Sequence, residues 1–369
     1  MKFYNVFILA LSFTVFFGCG ENANLDLPTE NLDSESLAFI DNAIAELKED
    51  NDQPSSEEAS NRSVVYIKTG SKDALASAIA EAGVGGKVMF KSGTHYLSQG
   101  VTVTHSVRIE GESGAVIKTN VDAPSIPVIY VNGAVNFRIK NLEFQRTGEQ
   151  AGSAIMLDEA HFARIEGLVL KNYGSGIFSD KSNLIRIFNN TISGPANFSS
   201  TSGIESCISL IDGKKAKVYG NTVSSVDFGI YLSGEKGVAY ENTIFGCIHG
   251  LTLGQFPFGF ARFPDFTYRS SEKAEKWVIK DNLAQYNAWG YLFGNGGNNS
   301  YVYNNDASNN QVYDFELAGE TSRFGFVAPT CKKILFSAGK YQKVAVKDCG
   351  EQNQVFGGVE VDTGIDPCF

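Results

Sequence analysis

The side chains best suited to chemistry gather in one stretch, QFPFGFARFPDFTYRSSEKAEK at 255–276, with His249 a few residues upstream. Arg262 and Arg269 carry forked donors that match a carboxylate. Tyr268 and His249 carry groups able to take a proton. Together they would suit β-elimination at a uronic acid: an arginine neutralises the sugar carboxylate, the α-proton becomes acidic, and Tyr268 or His249 removes it. The phenylalanines in the stretch would equally serve to pack it against its scaffold. A second candidate is the carboxylate pair Asp158 and Asp180, which would suit glycoside hydrolysis if the fold brings them within about 5–10 Å. A third is a file of aromatics, Phe188, Tyr219 and Tyr240, with Tyr231 as a further outward ring, whose flat faces suit sugars. Other chemistries find no support. GxSxG, HExxH, CxxC and P-loop motifs are absent. The four histidines, His95, His105, His161 and His249, show no metal-ligand spacing, and no motif asks for a cofactor or for calcium.

What must position these residues is a repeat. RIFNNTIS (186–193), KVYGNTVS (217–224), VAYENTIF (238–245), VIKDNLAQ (278–285) and YVYNNDAS (301–308) place Asn190, Asn221, Asn242, Asn282 and Asn305 at one position, with a looser copy, RIKNLEFQ, around Asn141. The spacings are 31, 21, 40 and 23 residues. Two are near one length and two equal that length plus an insertion, and a period of this size means a solenoid. Short segments such as GIFS (176–179), GIYL (229–232), GLTL (250–253) and GYLF (290–293) alternate with Gly, Asn and Asp turns. They specify strands, not a helical half-repeat. Coils stacked about 4.8 Å apart would pair as parallel strands, and asparagines in register at a bend would bond from coil to coil. The residue three before each Asn (Ile187, Val218, Ala239, Ile279, Val302) should then point inward. The next (Phe188, Tyr219, Tyr240, Lys280, Tyr303) should point outward. On the Gly-apolar strands Met156, Phe178, Ser209, Tyr231, Thr252 and Leu292 should face out, with Asp158 and Asp180 near the strand ends.

Ahead of the repeats, residues 71–82 put Leu75, Ala78 and Ile79 on one helical face, with Ser71 placed to cap the start and Gly83 to stop it. Short strands follow at 87–90, 94–97, 101–103, 107–110 and 115–118. The segment ALASAIAEAGVGGKVMFKSGTHYL resembles the N-terminal cap and first coil of the pectate-lyase-like β-helices. The resemblance implies an all-β chain, a single right-handed parallel β-helix solenoid with an N-terminal capping helix, that acts on or binds a polysaccharide. Many lyases of that family carry a basic proton abstractor on the outward strand surface, and the column from Met156 to Leu292 offers none. A polysaccharide lyase is the leading expectation for an enzyme. A non-catalytic carbohydrate-binding or adhesion module and a glycoside hydrolase are the alternatives.

Lys2 and the apolar run at 3–17 fit a signal peptide, and the run is too short for a comfortable membrane span of about 20 residues. It ends in Gly18-Cys19, similar to the lipobox of bacterial lipoproteins, which implies cleavage before Cys19 and lipid on its thiol. The expected domains are a signal peptide at 1–18, a flexible acidic tether at 19–63 with a short amphipathic helix at 36–48, and one β-helix domain at 64–369. A monomer held by lipid in the bacterial cell envelope, at the outer membrane or cell surface, is expected. The formal net charge of −10 argues against nucleic acid as a general partner, though not against a local basic cleft. Cys207 and Cys247 fall two coils apart, about 10 Å along the stack, beyond disulfide reach, and should be buried free thiols. Cys331 and Cys349 are 18 residues apart, close to one coil, so a disulfide between them is feasible, with Cys368 the competitor for either partner.

Overall fold

The alternating strands close into coils. The computed structural model describes residues 63–369 apart from 121–125, 148–152, 196–204, 255–259, 263–266, 270–273, 295–296, 319–331, 333, 339–345, 351, 357–360 and 363–369. The signal peptide, Cys19, the tether with its helix, Cys331 and Cys368 lie outside the described residues.

Each complete coil gives one short strand to each of three faces. Face one runs from Lys87–Phe90 through Arg186–Phe188 and Lys217–Tyr219 to Val278–Lys280. Face two holds the strand that follows each of these after a bend, such as Thr191–Ser193 and Thr222–Ser224. Face three is an 11-stranded sheet from Val101–Val103 to Val361–Asp362. Successive coils pair in parallel on every face. Tyr301–Ser308 runs unbroken through the bend and joins faces one and two. The expected inward residues, Ile187, Val218, Ala239, Ile279 and Val302, stand in register and are fully buried. Burying each Val or Ile stabilises by about 1.5–3 kcal/mol, and such files along all three faces hold the stack together.

The bend between faces one and two explains the asparagines. Its first residue is left-handed: φ is 54° at Asn189, 62° at Gly220, 53° at Glu241 and 53° at Asp281. Its second residue is the repeated Asn. Asn190 Nδ2 donates to Asn221 Oδ1 (2.9 Å), Asn221 to Asn242 (2.9 Å), Asn242 to Asn282 (2.9 Å) and Asn282 to Asn305 (2.8 Å). The looser copy is displaced by one residue. Asn141 takes the left-handed position (φ 56°), and Leu142 stands in the ladder column. Leu168 follows in that column, and its N–H donates to Asn190 Oδ1 at 2.9 Å. A second, shorter ladder joins Asn287 to Asn310 (3.2 Å) between faces two and three.

The helix Leu75–Ala82 buries Leu75, Ala78, Ile79 and Ala82 against the first coil and ends at Gly83, whose φ is 69°. It starts later than expected. Ala74 precedes the first turn, and Ser71 Oγ instead donates to Lys68 O at 2.5 Å, closing a turn ahead of the helix. Cys207 and Cys247 are buried free thiols. Cys349 is disulfide-bonded.

Candidate functional site

The lengths of the turns point to one face. The bend between faces one and two is two residues long in six consecutive coils: 141–142, 167–168, 189–190, 220–221, 241–242 and 281–282. The turn from face three to face one keeps one length through 159–163, 181–185, 212–216 and 233–237. Longer connections separate the described strands at both borders of face three: after Thr119, Arg146 and Ser193 on the leading border, and after Leu253 and Leu317 on the trailing border. Loops that depart from a rigid scaffold commonly carry function.

The outward side of face three is sheltered. The six residues expected there, from Met156 to Leu292, stand in register, and the column continues to Tyr130 at one end and Glu316 at the other. Alternation turns them away from the core. Even so, Tyr130, Met156, Ser209, Tyr231, Thr252 and Glu316 are each no more than 5% exposed. Outward Arg164 and Lys217 on face one are half-buried, and Lys171 on face two is exposed. Ile211 and Tyr231 form a small apolar cluster outside the main core, with Phe178 and Phe228 packed against it.

At the leading end of the same strands Phe228, His249 and Trp289 stack. The Phe228 and His249 centroids lie 4.7 Å apart at 11°, and those of His249 and Trp289 lie 5.0 Å apart at 14°. His249 is therefore held in plane between two rings, half-buried. One residue ahead of this column lies a carboxylate pair that sequence reasoning missed. Glu205 and Asp227 are both buried, and the Glu205 N–H donates to Asp227 Oδ2 at 3.2 Å. Burial pushes the Asp227 carboxyl above its ordinary range, against the lowering effect of that hydrogen bond. The only signal in the sequence was an acid just before two face-three strands, visible once the coils are aligned. At the trailing end Asp158 and Asp180 are register partners on adjacent strands and are buried. Tyr130 Oη donates to Asp158 Oδ2 at 2.9 Å. Adjacent strands stand about 4.8 Å apart, so the fold does bring the pair together.

The other expected residues fall elsewhere. Phe188, Tyr219 and Tyr240 form the outward file on face one, but they stack on one another with centroids 4.8 Å apart and planes within 8°. Arg164 covers the free face of Phe188 at 4.7 Å, and Lys280 Nζ lies 5.8 Å from the Tyr240 centroid. The file presents ring edges, not platforms, to a sugar. Arg262, Tyr268 and Arg269 lie on an antiparallel pair, Phe260–Arg262 with Thr267–Arg269, in which Tyr268 is opposite Ala261 and Arg269 opposite Phe260. The pair belongs to the trailing-border insertion that follows the strand His249–Leu253.

No curated protein matches the chain in sequence. The family model of NosD, a periplasmic copper-binding protein, matches residues 87–255. The family 28 exopolygalacturonase of Yersinia enterocolitica superposes with a TM-score of 0.57 at 10% identity, over 82% of this chain and 77% of that one. This chain has the right-handed parallel β-helix fold. The same β-helix superposes on the mannuronan C-5 epimerase AlgE4 A-module of Azotobacter vinelandii (TM-score 0.51, 13% identity, 79% and 92% of the two chains). It also superposes on the tailspike of E. coli bacteriophage HK620 in complex with a pentasaccharide (0.54, 12%, 78% and 60%). The described residues of this β-helix do not fit a resident copper ion. The thiols of Cys207 and Cys247 are turned to backbone carbonyls, Ser224 O and Phe245 O, each at 3.5 Å. No three His, Cys, Asp or Glu side chains converge among the described residues.

Proposed function

We propose that this chain is an extracytoplasmic β-helix that binds an extended polysaccharide along face three and cleaves it by carboxylate-assisted hydrolysis. The observation that carries the reading is a coincidence on one face. There the outward surface is sheltered, long connections flank its strands on both borders, and buried carboxylates stand at both ends of its strands. A polygalacturonase, a mannuronan epimerase and a pentasaccharide-bound tailspike share the fold. The periplasmic character of the matching family, and the Gly18-Cys19 junction as a lipid tether, support a place in the cell envelope.

In this reading the half-buried Phe228–His249–Trp289 stack presents its ring edges as the apolar border along which sugar rings lie. Asp227, whose pKa is raised by burial, keeps its proton at a pH where an ordinary carboxyl has lost it, as a general acid must. It would protonate the glycosidic oxygen as the C–O bond breaks, with Glu205 on the adjacent coil stabilising the positive charge on the sugar until water adds at the anomeric carbon and releases a proton that restores Asp227. Asp158 and Asp180 would accept hydrogen bonds from sugar hydroxyls further along the chain.

Elimination is the second reading. Its support is His249, whose plane is fixed at the leading end of the strand His249–Leu253, from whose other end runs the insertion that carries Arg262, Tyr268 and Arg269. Incubation of the purified protein with acidic and neutral polysaccharides separates the two. Reducing ends without near-ultraviolet absorbance, lost in D227N while binding persists, are expected. Unsaturated ends absorbing in the near ultraviolet would replace hydrolysis by elimination. Binding without any product would leave a carbohydrate-binding module, and no retention of any polysaccharide would remove the reading altogether.

A further inference from the structure

Face one carries a second surface of a different character. Lys87, Arg108, Arg138, Arg164, Arg186 and Lys217 occupy one register column on six successive coils. Each precedes a fully buried residue, such as Val88, Ile109 or Ile139, so alternation turns all six outward, and all six are half-buried. At about 4.8 Å per coil the column is about 24 Å long. The column two residues further along the same strands contains Glu110, Lys140 and Glu166. Lys87 pairs with Glu110 at 2.6 Å, Lys140 with Glu110 at 3.8 Å and Arg164 with Glu166 at 3.3 Å.

Across the two columns, then, seven cationic side chains share a face with two carboxylates, in a chain whose formal net charge is −10. We infer that face one is a second binding surface, for a linear polyanionic polysaccharide lying along the solenoid axis, with its carboxylates or sulfates met by about one cation per coil. Four of the six are arginines, whose planar forks match such groups. The shape of the column selects the occupant. It is a single file, flanked on one side by the column that holds Glu110, Lys140 and Glu166. A linear polymer fits such a track, whereas a membrane surface would need breadth and would bring its anionic headgroups against Glu110 and Glu166. The surface does not depend on the reading of face three.

Affinity electrophoresis through polygalacturonate, dextran sulfate and uncharged dextran tests this. The full chain is compared with R108Q/R138Q/R186Q and with the charge-matched control K72Q/K118Q/K171Q, each checked for fold by circular dichroism and thermal unfolding. Wild type and control should be retarded by both polyanions and not by dextran, with retardation fading as salt rises. The arginine variant should bind about tenfold more weakly. If it does not fold, R138Q alone should weaken binding about threefold. W289A, which alters face three only, should keep the salt-sensitive part of the retardation by dextran sulfate, whatever affinity it loses at high salt. An arginine variant that binds as tightly as wild type would overturn the inference. So would a protein that takes up phosphatidylglycerol vesicles or duplex DNA but neither polyanionic glycan.

Discussion

Asn221 donates its side-chain amide to the carbonyl of Asn242 across 2.9 Å, with both side chains buried, and the backbone N–H of Asn221 shares the same acceptor at 3.0 Å. One oxygen thus satisfies two donors of the coil before it. N242A removes that acceptor and leaves both donors buried and unpaired, at a cost of about 1–3 kcal/mol for each unsatisfied group. Urea unfolding of N242A should show a loss of about 2–4 kcal/mol; a variant as stable as wild type would mean that the ladder does not hold the bend.

Gly220 opens the same bend one residue earlier, with φ 62°, and a Cβ there would stand 2.4 Å from Asn189 Oδ1. G220A combines left-handed strain with that clash. Thermal unfolding should place it about 1–3 kcal/mol below wild type, a larger loss than for an alanine at exposed Lys171.

Cys207 and Cys247 should be inert to thiol reagents in the folded protein. Burial raises both thiols, Cys247 to about 12 against an ordinary value of 9.0. Folding therefore favours the neutral thiol. That contribution is complete below about pH 9 and fades as pH climbs towards 12. C247S should unfold with a flatter pH dependence than wild type above pH 9, and rapid native-state labelling of either thiol would contradict the burial argument.

The sequence made the stack legible because its signal is local. Asn190 to Asn305 recur at one position of eight-residue blocks, and the inward file from Ile187 to Val302 follows by alternation. The same blocks misplaced Asn141, since its neighbour Leu142, not a second asparagine, holds the ladder position. Features that depend on register across unequal coils stayed hidden. Arg108, Arg138 and Arg164 line up only when the insertions between them are discounted, and Glu205 stands one 22-residue coil before Asp227 but outside the aligned blocks. The ring file Phe188, Tyr219 and Tyr240 shows the opposite case. Its alignment was readable, Lys280 beyond Tyr240 included, but the aligned blocks held no sign that Arg164 would cover Phe188.

The central claim is that the glycan lies on face three, against the Phe228–His249–Trp289 stack, and not on the tyrosine file of face one. Calorimetric titration of W289A and Y219A with the bound polysaccharide, at salt high enough to silence the basic track, tests it most directly. W289A should weaken binding about tenfold while Y219A loses stability but keeps its affinity. Loss of affinity in Y219A with none in W289A would contradict it.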